Sequence, residues 1–98
     1  MKNPPNTESM QLKIDALRAE LDLLDTQLVR LWERRTAITD EIGARKAAQG
    51  AAVRDDARER EVLSRCQEAL CDKSLADDLA ALYNAIFAIS RRRQEGKR

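Results

Sequence analysis

Hydrophobic residues recur along the first half of the chain at alternating spacings of three and four. Counting position 35 as a member, the series comprises Ile14, Leu17, Leu21, Leu24, Leu28, Leu31, Ile38 and Ile42. This spacing places an apolar face along an α-helix. Because neither Pro nor Gly interrupts it before Gly43, the pattern predicts one long helix that extends to about Ala48. Thr7 or Ser9 is the expected N-cap, after a polar tail over residues 1–8 that we expect to be disordered.

The length of this helix has a consequence for assembly. At 1.5 Å per residue the predicted helix is about 60 Å long. A compact chain of this size has a radius of gyration of only about 13 Å. Much of the apolar face would therefore lie bare on a monomer, and we expect a second chain to cover it.

Two shorter helices follow a break at residues 49–52. Asp55 and Asp56 stand where N-caps belong, and Ser74 resembles the cap of the last helix. Apolar residues mark the second helix at Val62, Leu63, Cys66 and Leu70, and the third at Leu75, Leu79, Leu82, Tyr83, Ile86, Phe87 and Ile89. The sequence thus predicts an all-α fold with one long and two shorter helices, in a single domain over residues 9–95.

Composition narrows the possible functions. The chain has 98 residues, 43% of them apolar and 36% charged, with three Gly and two Pro, which excludes a multidomain enzyme and a many-stranded β fold. A formal net charge of +1 argues against nucleic acid as the main partner. No apolar stretch is long enough to span a bilayer and the N-terminus lacks the apolar core of a signal peptide, so we expect a cytoplasmic protein that binds no membrane.

The chain contains no His, which removes the commonest general base and the usual partner of Cys in a zinc site. Cys66 and Cys71 lie five residues apart, on different faces of a helix, and we expect both to be free, partly buried thiols. We expect neither a metal nor a cofactor. Any chemistry must use carboxylates, cations and amides, or need no proton transfer.

Polar residues interrupt the inward face of every predicted helix. They are Arg35 and Lys46 on the first helix, with Arg18 at the border of its apolar face, Asp55 and Glu59 on the second, and Ser90 and Gln94 on the third. Singly, each has a structural explanation: long cations can reach water, Asp55 can be a plain cap, Glu59 can complete a capping box and Arg35 can form a buried ion pair. Together they favour a polar pocket, because several buried charges need partners. Its cations suit a ligand with more than one carboxylate.

The order of these residues resembles the all-helical class of chorismate mutase over about residues 10–95. The resemblance rests on Arg18, Arg35, Lys46, the segment Val53-Arg54-Asp55, the segment Arg58-Glu59-Arg60 and the final Ser90-Arg91-Arg92-Arg93-Gln94. It implies an intramolecular isomerase of the shikimate pathway, in aromatic amino acid biosynthesis, that rearranges chorismate to prephenate. It also implies an intertwined homodimer with two equivalent sites. Trp32 and the run Arg91 to Arg93 fit no motif of the family.

The resemblance also implies a role for each site residue. Arg18 would reach into the partner's site, and Arg18, Arg35 and Arg58 would hold the substrate carboxylates. Lys46 and Gln94 would donate to the ether oxygen. Glu59 and Asp55 would take the ring hydroxyl, and Ser90 would contact a carboxylate. The catalytic candidates are therefore Lys46, Gln94 and Arg35.

Other functions remain open on the sequence. The same scaffold would suit a 4-amino-4-deoxychorismate mutase or an isochorismate pyruvate lyase. A protein of another class, a non-catalytic helical dimer adaptor that docks through its basic C-terminus, has no need for Arg35, Lys46, Glu59 and Gln94 on inward faces. For the basic C-terminus itself, the simpler interpretation is that the helix dipole stabilises its cations.

Overall fold

The computed structural model describes residues 6–96, and within that range the chain is all-helical. Three α-helices are present: α1 (Thr7–Gln49), α2 (Asp56–Glu68) and α3 (Ala76–Glu95). A short 3-10 helix, Lys73–Leu75, joins α2 to α3. One long and two shorter helices confirm the prediction, and the described residues contain no strand.

The start of α1 differs from the prediction by one to three residues. The Asn6 Oδ1 atom accepts a hydrogen bond from the backbone N–H of Ser9 at 2.6 Å, so Asn6 is the cap, rather than Thr7 or Ser9. Thr7 and Glu8, which the sequence assigned to the tail, are the first residues of the helix. The rest of the predicted disordered tail, residues 1–5, lies outside the described residues.

The break after α1 is a glycine C-cap. Gly50 has a φ of 69°, in the left-handed region that glycine enters without a steric penalty. The Ala51 N–H then bonds to the Lys46 carbonyl at 2.9 Å, and the Gly50 N–H bonds to the Ala47 carbonyl at 3.2 Å. This pair of bonds is the Schellman motif, which satisfies the last carbonyls of a helix and turns the chain away from it.

The chain between α2 and α3 is held by side chains at both ends. The Lys73 ammonium donates to the carbonyls of Gln67 and Glu68, at 3.0 and 2.8 Å, and so caps the C-terminus of α2. Asp72 accepts from the backbone N–H of Ser74 at 3.0 Å and from its hydroxyl at 2.6 Å. Asp72 is therefore the cap of the 3-10 helix, and Ser74, which lies within that helix, donates to it. The last helix, α3, begins at Ala76 with Leu75 at its N-cap position and has no side-chain cap, so the prediction of Ser74 as its cap is wrong.

The chain divides into two compact units, one ending at Arg35 and the other beginning at Thr36. The second unit contains the buried apolar side chains, Val53 and Phe87. The Phe87 ring also contacts the ring of Tyr83, one turn earlier on α3, with centroids 5.7 Å apart.

The first unit is the α1 segment up to Arg35, and its apolar side chains are open to solvent. We call six of them the leucine stripe: Ile14, Leu17, Leu21, Leu24, Leu28 and Leu31. Their exposed fractions range from 41% for Ile14 to 63% for Leu17. Such a continuous apolar face is unusual on the surface of a single chain and marks an interaction surface.

Two further expectations concern the cysteines and the membrane. Both cysteines are free, as expected; Cys66 is half-buried, but Cys71 is exposed because α2 ends at Glu68, before it. Among the described helices, none combines the length and hydropathy needed to cross a bilayer.

Candidate active site

Gln94 is the one buried polar residue in the part of the chain that the structure describes, with 7% of its surface exposed. Its Nε2 atom donates to the Thr39 carbonyl of α1 at 2.9 Å. Its side chain lies against Gly43, one turn further along α1, where a β-carbon would come within 2.6 Å of the Gln94 Cγ atom. A primary amide has two donor hydrogens, so one remains for a ligand.

Lys46 lies about one turn beyond Gly43, on the same side of α1 as Thr39. The side chain is half-buried, and its Nζ atom is 3.5 Å from the carbonyl oxygen of the buried residue Val53. This bond is long and weak. Because an ammonium group has three donors, Lys46 keeps donors for a ligand. Lys46 thus lies three residues beyond the glycine of α1 against which the Gln94 side chain packs.

Arg93 fixes the end of α3 against α1. Its guanidinium forms two bonds to Asp40, Nε to Oδ1 at 3.0 Å and Nη2 to Oδ2 at 2.7 Å. The hydrogen bond and the charge of Asp40 raise the pKa of Arg93. Such bidentate pairs are geometrically specific. Arg93 directly precedes Gln94 on α3, so this pair helps to hold Gln94 over Gly43.

Glu59 pairs with Arg91 across α2 and α3. The Arg91 Nη1 atom is 2.6 Å from both carboxylate oxygens of Glu59. The two side chains are 28% and 23% exposed, respectively. Because Asp55 is the N-cap of α2, the third residue of the helix is Arg58, so Glu59 does not complete the capping box that its spacing from Asp56 suggested. Next to it is an open depression of about 310 Å³, lined by Arg54, Asp56, Glu59, Arg60, Leu63, Asn84 and Phe87.

The start of α2 carries further charged pairs. Arg54 donates to Asp56 at 2.7 Å, and this hydrogen bond lowers the pKa of Asp56 and raises that of Arg54. Arg58 pairs with Glu61 at 2.9 Å, with both side chains more than half exposed. Exposed pairs of this kind contribute little to stability, so Arg58 can exchange Glu61 for a ligand carboxylate at small cost.

Asp55 corrects the prediction of an inward-facing carboxylate. It is exposed, and its side chain accepts from the backbone N–H of Arg58 at 3.0 Å as the N-cap of α2. Capping, the structural explanation, is therefore confirmed, and it uses one carboxylate oxygen, Oδ1. Ser90 is half-buried on α3, one turn before Gln94 and on the same side of that helix.

The remaining two candidates belong to the first unit. Arg18 is exposed, and its guanidinium is 3.9 Å from the carboxylate of Asp15, one turn earlier on α1. Arg35 is half-buried and has a partner within the chain. The sequence did not point to Arg91, Arg93 or Asp40. Arg91 and Arg93 lie near the C-terminus of a helix and Asp40 on a polar face, and residues at such positions often have no partner on another helix.

Within residues 6–96, no cluster of acidic and cysteine side chains has the geometry of a metal site. The predicted site residues are instead four cations, an amide, a hydroxyl and two carboxylates, and the cations suit an organic anion. The family model "Chorismate mutase type II" matches residues 17–95, which contain all eight predicted site residues. The chain belongs to the chorismate mutase type II family. No curated protein matches the chain at a significant level.

Proposed function

We propose that this protein is a chorismate mutase that rearranges chorismate to prephenate. Membership of the family implies an isomerase. The observation that carries the specific proposal is Gln94, a buried amide that bonds to the Thr39 carbonyl of α1 and packs against Gly43, three residues before the half-buried Lys46. Two polarised N–H donors in such an arrangement suit an oxygen atom that gains negative charge during the reaction.

The rearrangement breaks a C–O ether bond while a C–C bond forms within the same molecule. No nucleophile and no proton transfer are needed, which is compatible with a chain that lacks His. As the ether bond breaks, its oxygen becomes more negative, and the bonds from Lys46 and Gln94 strengthen. Interactions that are stronger in the transition state than in the substrate lower the barrier. One such donor contributes about 3–4 kcal/mol.

Arginines would hold the two substrate carboxylates. We assign this role to Arg35 and Arg58, and to Arg18 of a second copy of the chain. Holding both carboxylates favours the compact conformer in which the reacting carbons meet, and so removes part of the entropic barrier. The weak pairs of Arg58 with Glu61 and of Arg18 with Asp15 are compatible with exchange for a ligand.

The other site residues would orient the ring. Glu59 accepts a hydrogen bond from the ring hydroxyl, assisted by Asp55, and Ser90 donates to a carboxylate. The carboxylate of Glu59 is paired with Arg91 and is 23% exposed. It therefore remains accessible to a ligand.

We propose an intertwined homodimer in which the long first helices pair and each copy supplies Arg18 to the other's site, with residues 9–95 as the mutase domain. The exposed leucine stripe supports this proposal, because every one of its six residues is more than 40% exposed in the single chain. At about 25 cal/mol per Å² of apolar surface, covering such a face stabilises an assembly substantially. We place the enzyme in the cytoplasm, in the shikimate pathway.

The test is a rate comparison on three substrates: chorismate, its 4-amino analogue and isochorismate. We expect the largest kcat/KM for chorismate, with prephenate as the product. A larger value for the amine would identify a 4-amino-4-deoxychorismate mutase, and release of salicylate and pyruvate from isochorismate would identify the lyase. Turnover of none of the three would contradict the proposal and leave the dimeric adaptor as the explanation.

A further inference from the structure

The ion pair between Arg91 and Glu59 joins two helices at the edge of the candidate site. A single guanidinium nitrogen of Arg91 is 2.6 Å from both oxygens of the Glu59 carboxylate. Both side chains are about three-quarters shielded from solvent. A pair in this environment is screened less than an exposed one, so its charges act on any ligand nearby.

This pairing changes what Glu59 offers to a ligand. A carboxylate has about four lone-pair positions, and Arg91 occupies two of them. Glu59 can therefore still accept a hydrogen bond from a neutral hydroxyl. Its negative charge, however, is compensated by Arg91, so it attracts a ligand cation much less than a free carboxylate would.

The charges around Glu59 balance only while Arg91 is present. Arg54 and Arg60 line the depression beside Glu59, together with Asp56. With Arg91, three arginines face three carboxylates, once Asp55, which the proposed function also places at the ring substituent, is counted with Asp56 and Glu59. Removal of Arg91 therefore leaves one negative charge in excess, which attracts an incoming ammonium group much more than an uncharged hydroxyl.

We propose that Arg91 is a specificity-determining residue that makes the site select a neutral ring hydroxyl over a protonated ring amine. This inference rests on the proposed function, in which Glu59 accepts a hydrogen bond from the ring substituent. Arg91 acts on the ligand through its charge and through its hold on Glu59. Without Arg91, the carboxylate of Glu59 would be free to form a charge-assisted bond with an ammonium group, the stronger of the two kinds of bond.

Coulomb's law gives the size of the effect. A unit charge about 6 Å from the substituent, at an effective dielectric constant between about 20 and 80, changes the preference by about threefold to about a hundredfold. We expect removal of the Arg91 charge to raise the kcat/KM ratio of amine to hydroxyl substrate by about tenfold at low ionic strength.

The experiment measures kcat/KM for chorismate and for its 4-amino analogue at pH 6.5, where an alkyl amine is protonated. The variants are Arg91→Gln, Arg91→Met and Arg91→Lys, with Arg92→Gln as the matched control. Arg92 is exposed on the next position of α3, so its variant removes the same charge from the same helix. If the amine binds without rearranging, its inhibition constant against chorismate replaces kcat/KM.

The ratio of kcat/KM for the amine to kcat/KM for chorismate should rise in Arg91→Gln and Arg91→Met. It should stay near the wild-type value in Arg91→Lys and Arg92→Gln. An unchanged ratio in both neutral Arg91 variants, or an equal rise in Arg92→Gln, overturns the inference. If Arg91 has a purely structural role, its loss lowers kcat/KM for both substrates equally and leaves their ratio constant. If one neutral variant fails to fold, as judged by circular dichroism, the other gives the test.

Failure of the proposed function gives a different result. In that case the wild-type protein rearranges neither substrate and is inhibited by neither. A wild-type enzyme that rearranges chorismate, with a ratio that does not respond to Arg91, refutes the assignment of Arg91 alone.

Discussion

The side chain of Gln94 occupies the space that a β-carbon at position 43 would need. A β-carbon built on Gly43 would lie 2.6 Å from the Cγ atom of Gln94 and 3.1 Å from its Cβ atom. Gly43 is therefore required for the close approach of α3 to α1. In our proposal this approach brings the Gln94 amide to the reacting ether oxygen.

Substitution Gly43→Ala should displace Gln94 and reduce catalysis. The steric conflict costs about 1–3 kcal/mol, offset by up to about 1 kcal/mol from the better helix propensity of Ala. We expect a small change in Tm and a fall of at least about tenfold in kcat/KM for chorismate, since one mispositioned donor costs that much or more. Steady-state kinetics and thermal unfolding followed by circular dichroism measure the two effects.

The matched control is Gly96→Ala. A β-carbon there meets the carbonyl oxygens of Arg93 at 3.5 Å and of Arg92 at 3.8 Å, both ordinary contacts, and the φ of Gly96 is −64°. It should leave kcat/KM unchanged. Wild-type activity in Gly43→Ala would show that the contact with Gln94 has no part in catalysis.

Substitution Lys46→Ala should reduce the rate without unfolding the protein. The side chain makes one long hydrogen bond, 3.5 Å to the Val53 carbonyl, so its loss has little effect on stability. Loss of a preorganised donor to the ether oxygen lowers kcat by about 10²–10³-fold. The disappearance of chorismate, followed by its absorbance, measures the rate.

Arg45→Ala is the control for Lys46→Ala. Arg45 is the preceding cation on α1, is paired with Glu41 at 2.9 Å and has a side chain that is 74% exposed. Its removal changes the net charge equally and should leave kcat near the wild-type value. Similar rates for the two variants would contradict the assigned role of Lys46.

Mixing two inactive variants should restore activity if Arg18 acts in the partner's site. A heterodimer of Arg18→Ala and Arg35→Ala chains contains one site with both arginines intact and one with neither. With complete and unbiased subunit exchange, half of the dimers are mixed, so we expect recovery of about a quarter of the wild-type activity. Kinetics after exchange, confirmed by mass spectrometry of the intact dimer, provide the measurement.

A mixture of Arg18→Ala with the double variant Arg18→Ala/Arg35→Ala is the control, because no combination of those chains restores Arg18. It should stay inactive. If the complementing mixture also stays inactive although exchange has occurred, both arginines act within one chain.

The cap formed by Asp72 should make stability depend on pH in the acid range. Hydrogen bonds from the Ser74 hydroxyl and backbone N–H lower the pKa of Asp72 below 3.8. A carboxyl with a lowered pKa in the folded state contributes stability above its unfolded pKa, which is lost as pH falls through the folded value. The difference in Tm between wild type and Asp72→Ala should therefore have its largest value above about pH 5 and decrease below about pH 4.

Asp72→Asn provides the matched comparison, since the amide keeps an acceptor oxygen but does not titrate in this range. Its Tm relative to that of Asp72→Ala should stay constant between pH 3 and pH 6, as thermal unfolding at each pH would show. A difference between wild type and Asp72→Ala that persists unchanged at pH 3 would show that the charge of Asp72 does not support the cap.

The sequence by itself determined the helices and most of their ends. Periodicity of three and four, Gly50 after α1 and Asp55 before α2 are local signals, and helices are built from local hydrogen bonds. The predicted caps were wrong at two helices: Asn6 caps α1, and α3 begins without a side-chain cap because Asp72 and Ser74 belong to the 3-10 helix before it. The residues of the family pattern were equally readable, because their order and spacing are properties of the chain.

Only the tertiary structure decided which partners the polar side chains have. The pairs of Arg91 with Glu59 and of Arg93 with Asp40 join residues 32 and 53 positions apart. From the sequence, both arginines were equally compatible with a role at the helix C-terminus alone. Gln94 is buried because the missing side chain of Gly43 admits it, and this depends on how α3 packs on α1. Local patterns fix which residues share a face, but the partner of a charge depends on which faces meet.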